Sequence, residues 1–336
     1  MVIDFEHHYI PEELWLQKGG KKGERTISYE FGKPRVTMHP ETCDVEEHLR
    51  IMDAVGIDMS VLSIAGSSDD PKTALQEAKI WDDDVSEIMK KYPSKFVGLT
   101  PIPPLGGQAA FEELDRAVTG LGMKGVVIRS QVSGLSMDAK ELYPFYEKVC
   151  SLDVPVFIHP SGVPKGFSIL EAPYDLYRSA GRELDLMVAT IRIILSGVLD
   201  DFPNLTLVIS HKGGGIAAVR ERIEYWFGSP GGPGTRNRQK FDDYFRRIYF
   251  NLAGHHGGMN AVKCALTGIH PSRLVFGTDY PQEFAGGADR IEHPWPPVEG
   301  PMLIKDYIEN IKNLDLDAES KDLMLGGNAK RLLEMA

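Results

Sequence analysis

Eight short apolar runs, spread along the whole chain, constrain the fold more than any other feature of the sequence. Most are near-continuous stretches of Val, Ile, Leu and Phe, which is typical of parallel strands buried on both faces. The runs are Val2–Glu6, Ser60–Ala65, Phe96–Ile102, Gly125–Arg129, Val154–His159, Leu205–His211, Ile248–Leu252 and Arg273–Asp279.

Amphipathic patterns with helical spacing separate most of these runs. They cover Val45–Val55, Lys72–Lys91, Phe111–Thr119, Lys140–Ser151, Glu183–Leu199, Ile216–Trp226 and Met259–Leu266. A helix that leads into each following strand predicts right-handed crossovers and a parallel sheet. Eight such units predict an α/β fold, a (β/α)8 TIM barrel, and we expect one domain over residues 1–336. An open, doubly wound sheet is the alternative, because a strand count from one sequence can be off by one or two.

Four polar or glycine-rich stretches read as insertions into this pattern. They are Trp15–Thr42, Ser161–Ser179, Gly228–Arg238 and Ala285–Gly300. The first, second and fourth leave from the carboxyl end of a strand, so we expect them to lie over the face of the barrel that carries active sites. Gly228–Arg238 follows a helix instead and reads equally well as a flexible surface loop.

Charge and cysteine content narrow the choice of partners and compartment. The formal net charge of −11 argues against a nucleic-acid partner, although a local arginine could still bind an anionic small molecule. Cys43, Cys150 and Cys264 are far apart and suit thiols in a reducing cytosol. The sequence has no apolar run of the roughly 18 residues that a membrane span needs, and no leader pattern. We therefore expect a cytoplasmic protein with a small-molecule substrate and no membrane partner.

The first, fifth and eighth runs end on residues that bind metals well. Glu6 and His8 are two positions apart, so on a strand their side chains point the same way and His7 points elsewhere. His159 ends the fifth run and Asp279 ends the eighth. Because strand carboxyl ends converge in a barrel, these two carboxylates and two imidazoles predict a site for one divalent metal ion.

Each of these residues also has an ordinary explanation, as a strand-end carboxylate, a hydrogen-bonded core histidine or a turn-capping aspartate. Their equivalent positions in the barrel favour metal binding. His211 ends the sixth run before Gly213, and it remains as a general acid or base beside the ion, as does Asp279. No lysine ends the fourth run at Arg129, so a carbamylated lysine bridging two metals is not expected.

Three further residues are candidates for substrate binding. Arg35 lies in the first inserted stretch and could hold a substrate carboxylate. His255 follows the seventh run, and Glu283 lies four residues beyond Asp279, so both could line the pocket. An exposed position on a loop explains each of them about as well.

Five sequence blocks, taken in order, resemble the amidohydrolase-2 group of the amidohydrolase superfamily. These blocks are Ile3-Asp4-Phe5-Glu6-His7-His8 with Pro11, Phe96-Val97-Gly98-Leu99, Phe157-Ile158-His159-Pro160, Ser210-His211-Lys212-Gly213-Gly214-Gly215 and Gly277-Thr278-Asp279-Tyr280-Pro281. The group includes aminocarboxymuconate-semialdehyde, γ-resorcylate and 5-carboxyvanillate decarboxylases. The resemblance implies a (β/α)8 barrel that holds one Zn²⁺ or Mn²⁺ ion and often forms homodimers.

The same resemblance implies a role for individual residues. Glu6, His8, His159 and Asp279 match the metal ligands, and His211 matches the catalytic histidine. Arg35 is similar to the arginine that holds the substrate carboxylate in the aminocarboxymuconate enzyme.

Two departures from the family pattern point in different directions. At the position of Glu6 many members have histidine, but the benzoate-type decarboxylases also have glutamate, and an oxygen ligand favours manganese. At the position of Gly214 those same decarboxylases have a glutamate, whereas the aminocarboxymuconate enzyme also has glycine. We expect a non-oxidative decarboxylase of an aromatic or dienoic carboxylic acid. The alternatives are a hydrolase or hydratase that uses metal-activated water with His211 as base, and a metal-binding barrel without catalysis.

Overall fold

Eight parallel strands form the centre of the computed structural model. The structure describes residues 1–24, 26–30, 33–38, 40–66, 68–161, 170, 176, 180–232, 234–253, 258–281, 300 and 302–334, with the side chains of 26–30 and 33–38 excepted. The strands are β1 (Ile3–His8), β2 (Met59–Ser63), β3 (Phe96–Gly98), β4 (Val126–Arg129), β5 (Val156–His159), β6 (Leu207–Ile209), β7 (Tyr249–Asn251) and β8 (Leu274–Val275).

The strands close into a ring in sequence order. Strands β1, β2 and β3 form one parallel sheet, and β4 to β8 form another. A bridge from Thr100 to Val126 joins the two sheets on one side. On the other side Phe5 donates its amide to Phe276 (2.9 Å) and Asp279 donates to the carbonyl of Glu6 (2.9 Å). The predicted (β/α)8 barrel is therefore confirmed, and the open doubly wound sheet is excluded.

Helices surround the ring, and two hairpins extend from it. The helices are α1 (Glu12–Gln17), α2 (Val45–Val55), α3 (Pro71–Lys91), α4 (Gly107–Asp115), α5 (Tyr143–Leu152), α6 (Arg182–Leu195), α7 (Val198–Asp201), α8 (Arg220–Phe227), α9 (Phe241–Phe245), α10 (Gly258–Gly268), α11 (Met302–Lys312), α12 (Ala318–Asp322) and α13 (Asn328–Leu332). The hairpins pair Thr26–Glu30 with Lys33–Met38 and Gln131–Val132 with Leu135–Ser136. Short 3-10 or π turns cover Pro40–Cys43, Arg116–Gly120, Lys140–Leu142, Ile216–Val219, Pro271–Arg273 and Leu323–Gly327.

The observed elements differ from the sequence-based expectation in a few places. The predicted helix Glu183–Leu199 is two helices, α6 and α7, because Gly197 takes φ +82°, a left-handed conformation that breaks the helix. The hairpin inside the stretch Trp15–Thr42 was not predicted, and neither were the helices that follow β8. None of the described helices is long and apolar enough to cross a membrane.

Alternate residues of the strands fill the inside of the barrel. This inner cluster is almost entirely apolar and consists of Ile3, Phe5, Met59, Val61, Val97, Leu99, Val127, Phe157, Val208, Tyr249 and Val275, with Ala329, Leu332 and Leu333 from the end of the chain. Ala329, Leu332 and Leu333 close the end of the barrel at which the strands begin, which we call the bottom. At the other end the inward-facing positions become polar, and the candidate site lies there.

Candidate metal centre

Four side chains meet at the carboxyl end of the barrel: two from the end of β1, one from the end of β5 and one from the segment after β8. Glu6, His8, His159 and Asp279 each offer one ligand atom, and these atoms all lie within 4.8 Å of one another. Asp279 Oδ1 is 2.6 Å from His8 Nε2, and His159 Nε2 is 3.6 Å from Glu6 Oε1. Residues that are up to 273 positions apart in sequence thus share one small volume, since the ring brings β1 against β8.

Backbone carbonyls orient both imidazoles toward the centre of this cluster. His8 Nδ1 donates to the carbonyl of Ser63 (3.2 Å), and His159 Nδ1 donates to the carbonyl of Pro160 (3.1 Å). With the proton on Nδ1, each Nε2 presents a lone pair to the cluster. Metal-binding histidines are commonly oriented by such hydrogen bonds.

A hydrogen-bond network beneath the cluster fixes the two carboxylates. Ser210 Oγ donates to Glu6 Oε2 (2.7 Å). Asp4, which is fully buried, accepts from the backbone amide (2.9 Å) and the hydroxyl (2.6 Å) of Thr278, the residue before Asp279. His7 points away from the cluster, as the alternation on β1 predicts, and donates through Nδ1 to Asp4 (2.8 Å). The network therefore sets the relative position of β1 and the segment after β8.

Burial and mutual contact shift the pKa of every member of the cluster. Burial raises the pKa of Glu6 to about 7, with a further contribution from the charge of Asp279 and against the opposing effect of His211. Burial alone would raise the pKa of Asp279 as well, but its contacts with His211 and His8 hold it well below its usual range. Burial, aided by His8, holds the pKa of His159 well below normal, so this imidazole is neutral.

His211 faces the same cluster from a left-handed turn. His211, Lys212 and the three glycines 213–215 all have positive φ, between +48° and +77°. This turn starts after Ile209 and points the imidazole inward, so that Nε2 lies 3.7 Å from Asp279 Oδ2 and 3.9 Å from Glu6 Oε1. Nε2 is buried and has no hydrogen-bond partner among the described residues.

Glu183, in the first turn of α6, holds the other side of the His211 ring. Its Oε1 accepts a hydrogen bond from His211 Nδ1 (2.9 Å). A Cβ on Gly214 would lie only 1.8 Å from the carbonyl oxygen of Glu183, so the approach of α6 to the turn requires glycine there. Burial by itself would lower the pKa of His211, but the carboxylates of Asp279, Glu183 and Glu6 raise it to about 10.

The donor set and its charge fit one divalent cation. Ligand atoms about 2.1 Å from a single ion can be at most about 4.2 Å apart, so only a small contraction of the cluster is needed. Two buried carboxylates side by side repel each other, and a cation between them would remove that repulsion. Two oxygens and two imidazole nitrogens suit zinc or manganese.

The remaining predicted substrate residues are outside this cluster or outside the described residues. Arg35 lies on the second strand of the Thr26–Glu30/Lys33–Met38 hairpin, but its side chain is outside the described part of the structure. His255 and Glu283 lie outside the described residues altogether.

Sequence reasoning missed several residues that the structure brings to the site. Ser210 precedes His211 directly and could have been noticed as a donor at a strand end. Glu183 gives no local signal, because it lies 28 residues before its partner, in a helix that packs on the turn. From the sequence alone, Arg129 was considered only as evidence against a carbamylated lysine and was assigned no role in binding.

The barrel and its cluster of carboxylates and imidazoles define a class of α/β-barrel protein built to bind a divalent metal at the carboxyl ends of its strands. Residues 3–335 match the family described as amidohydrolase. The chain belongs to this family. Thus the sequence-based assignment to the amidohydrolase group is confirmed.

Relatives with sequence similarity to the chain include enzymes of two reaction types. A γ-resorcylate decarboxylase of Rhizobium sp. strain MTP-10005 is 28% identical over 294 residues, which cover 83% of this chain and 86% of that one. A 2-keto-4-carboxy-3-hexenedioate hydratase of Sphingobium sp. strain NBRC 103272 / SYK-6 is 24% identical over 359 aligned positions, which cover 99% of this chain and 96% of that one.

Solved structures support the same fold. The 5-carboxyvanillate decarboxylase from Sphingomonas paucimobilis superposes with a TM-score of 0.80 at 22% identity, over 100% of this chain and 99% of that one. A dihydroxybenzoic acid decarboxylase from Polaromonas sp. JS666, solved with bound manganese and the inhibitor 2-nitroresorcinol, gives a TM-score of 0.78 at 24% identity, over 99% and 96%. These likenesses extend over the whole barrel.

Proposed function

We propose that the protein is a metal-dependent, non-oxidative decarboxylase of an aromatic or dienoic carboxylic acid. The observation that carries the proposal is the buried cluster of Glu6, His8, His159 and Asp279, with His211 Nε2 facing it. Relatives with this family's fold are decarboxylases of dihydroxybenzoates and related acids, and one of them was solved with manganese.

In this proposal four residues hold one Zn²⁺ or Mn²⁺ ion, namely Glu6, His8, His159 and Asp279. When bound, the ion supplies a positive charge that binds the substrate carboxylate with a neighbouring hydroxyl or carbonyl oxygen and withdraws electron density from it. The orienting hydrogen bonds from His8 and His159 to backbone carbonyls keep both Nε2 lone pairs available for the ion.

The reaction needs a proton at the carbon that bears the carboxylate. His211, whose raised pKa keeps it protonated, would donate this proton directly, or would pass it to Asp279, which then donates it; either route forms a carbon–hydrogen bond. The carbon–carbon bond then breaks, its electron pair returns to the ring or diene, and carbon dioxide leaves. Water restores the proton to the donor. Glu183 would act as a positioning residue, since its carboxylate keeps a proton on His211 Nδ1 and directs Nε2 at the cluster.

We further propose that Arg35, His255 and Glu283 contact the substrate from the inserted segments, with Arg35 holding an anionic group. A single domain over residues 1–336, a homodimer and a cytoplasmic location complete the proposal. Sedimentation of the purified protein tests the dimer directly: a monomer at micromolar concentration would contradict it.

Measurement of carbon dioxide tests the reaction type. Protein loaded with Mn²⁺ or Zn²⁺ should release one carbon dioxide per acid consumed when screened against hydroxybenzoates and dienoic acids. A chelator should abolish the release, and either metal ion should restore it. Turnover without carbon dioxide would contradict the decarboxylase assignment.

A hydratase is the second candidate, because a hydratase relative covers 99% of this chain. In that reaction His211 would act as the base toward an activated water. Incorporation of ¹⁸O from labelled water into the product, without loss of carbon dioxide, would support the hydratase and exclude the decarboxylase.

A further inference from the structure

A basic residue shares the inward face of the barrel with the proposed metal ligands but has no role in the reaction described above. Arg129 is the last residue of β4, and its ladder partner on β5 is His159. Two residues earlier on the same strands, Val127 and Phe157 are also partners, and both belong to the inner cluster.

The register places the Arg129 side chain on the side of the sheet that faces the barrel axis. Residues two apart on a strand point the same way, so Arg129 follows Val127 inward just as His159 follows Phe157. The side chains of Arg129 and His159 are 25% and 18% exposed, whereas Val127 and Phe157 are buried. Arg129 therefore stands beside a proposed metal ligand, one strand spacing of about 4.8 Å away, at the open end of the barrel.

Only one nitrogen of this guanidinium is engaged by the described residues. Nη2 donates to Asp69 Oδ1 (2.7 Å) and more weakly to the carbonyl of Ser68 (3.3 Å). Nε and Nη1 have no hydrogen bond within the described part of the chain. The side chain of Asp69 is 72% exposed, and an ion pair with so exposed a partner contributes little to stability. A carboxylate from a ligand could therefore replace or join Asp69 at low cost.

The surroundings of Arg129 form a concave, partly polar surface. A depression at this end of the barrel is lined by Arg129 and Asp69, by Pro101 and Leu105 from the segment after β3, and by Gln131 and Ser133 from the small hairpin after β4. A ligand carboxylate that displaced Asp69 from Nη2 could make a bidentate contact through Nη2 and either Nε or Nη1, neither of which has a partner among the described residues.

We propose that Arg129 binds a second acidic group of the substrate, so that the natural substrate is an acid with at least two anionic groups. One carboxylate would lie at the metal centre and the other at the end of β4. This inference rests on the proposed function, because it assumes that the first carboxylate binds at the cluster of Glu6, His8, His159 and Asp279. A second anionic group needs a positive charge close to it, and Arg129 carries one at the end of β4.

Ligand affinity tests the inference without any need for turnover. Isothermal titration calorimetry on Mn²⁺-loaded protein would compare benzoate with phthalate, isophthalate and terephthalate. For the unsubstituted protein, at least one of the three dicarboxylates should bind about tenfold or more tightly than benzoate, as expected for a charge-assisted arginine contact. Arg129→Met should abolish this preference and change benzoate affinity less than about twofold, while Arg129→Lys should keep part of it.

A matched control removes the same charge elsewhere. Arg192 on α6 is also paired with an aspartate, Asp138, and its side chain is half exposed on the outside of the barrel. Arg192→Met should leave the dicarboxylate preference unchanged. A thermal melt of each variant checks folding, and Arg129→Lys, which keeps the charge, serves if Arg129→Met does not fold.

The possible results separate this inference from the function on which it rests. If benzoate binds only when the metal is present but no dicarboxylate gains an Arg129-dependent preference, the second-anion site is overturned and the proposed function stands. The same holds if Arg129→Met lowers only the melting temperature, because the arginine then merely ties the segment after β2 to β4. If no carboxylate binds the metal-loaded protein at all, both proposals fail.

Discussion

The two ends of the barrel are built on opposite principles. At the bottom, Ala329, Leu332 and Leu333 close the interior with apolar side chains only. At the opposite end, the mouth formed by the carboxyl ends of the strands, buried carboxylates and imidazoles lie close together. Here His211, Lys212 and Asp279 adopt left-handed backbone conformations, with φ of +48°, +57° and +63°. Such conformations cost of the order of 1–3 kcal/mol each for residues other than glycine. The bottom of the barrel thus stabilises the fold, whereas the backbone conformations that hold the reactive groups at the mouth destabilise it.

The largest effect that tests this difference between the two ends is expected from a substitution of Asp279 at the mouth. Asp279→Asn keeps the size of the side chain but removes a carboxylate that we propose as both metal ligand and proton donor. We expect carbon dioxide release to fall by about 10³-fold or more. The measurement is kcat on the best screened acid, with circular dichroism as the check on folding. Full activity in this variant would mean that the mouth is not the active site.

The opposite effect is expected at the bottom of the barrel. Leu333→Ala removes a buried side chain, 1% exposed, from the inner cluster. The free energy of unfolding should fall by about 2–4 kcal/mol, and kcat should stay within about twofold, because the proposed metal ligands lie at the opposite end of the barrel. Urea unfolding and kcat measured below the melting transition test this. A large loss of kcat in a folded variant would mean that the two ends are not separate in function.

Glu183 sharpens the comparison, because it acts on the mouth through His211 alone. Glu183→Ala should lower kcat by about 10–100-fold with little change in KM, since the orientation and tautomer of the imidazole are lost. Glu183→Gln keeps an oxygen that accepts from Nδ1 and should recover most of kcat. If Gln and Ala variants lose activity equally, the charge of Glu183 matters rather than its hydrogen bond. If both variants lose stability to the same extent and kcat does not change, Glu183 has a structural role only and does not position His211.

The smallest effect concerns a buried carboxyl between the helices, away from both ends. Burial raises the pKa of Asp82 well above normal, despite the hydroxyl of Thr100 that donates to it (2.8 Å), and Glu113 adds to the rise. A carboxyl whose pKa is higher in the folded state favours folding below its unfolded pKa, about 3.9, and this contribution is lost as pH rises toward the folded pKa.

Asp82→Asn should therefore be more stable than the unsubstituted protein by an amount that grows as pH increases above about 4. Urea unfolding at a series of pH values, with the variant and the unsubstituted protein in the same buffers, measures this difference. Parallel stability profiles would show that Asp82 ionises normally.

The sequence predicts the barrel well and its mouth only in part. Continuous Val, Ile and Phe runs such as Val156-Phe157-Ile158 identify strands, because burial on both faces leaves a local signal. Glu6, His8, His159 and Asp279 could be grouped because a barrel brings all its strand ends to one face. The backbone geometry at the mouth is different in kind.

His211 and Asp279 were expected at strand ends, yet β6 stops at Ile209 and β8 at Val275. Their side chains reach the cluster through left-handed turns, which apolar periodicity does not encode. The contact between Glu183 and His211 depends on how α6 packs against glycines 213–215, a tertiary relationship with no signal in either segment alone.

The most direct test of this account is the position and number of metal ions. Crystals grown with Mn²⁺ and measured at the manganese absorption edge should give one anomalous peak per chain, about 2.0–2.3 Å from ligand atoms of Glu6, His8, His159 and Asp279. The Glu6→Ala/His159→Ala double variant should lose that peak. A peak that lies elsewhere, or no peak in crystals that contain the metal, would contradict the claim that these four residues form the catalytic centre.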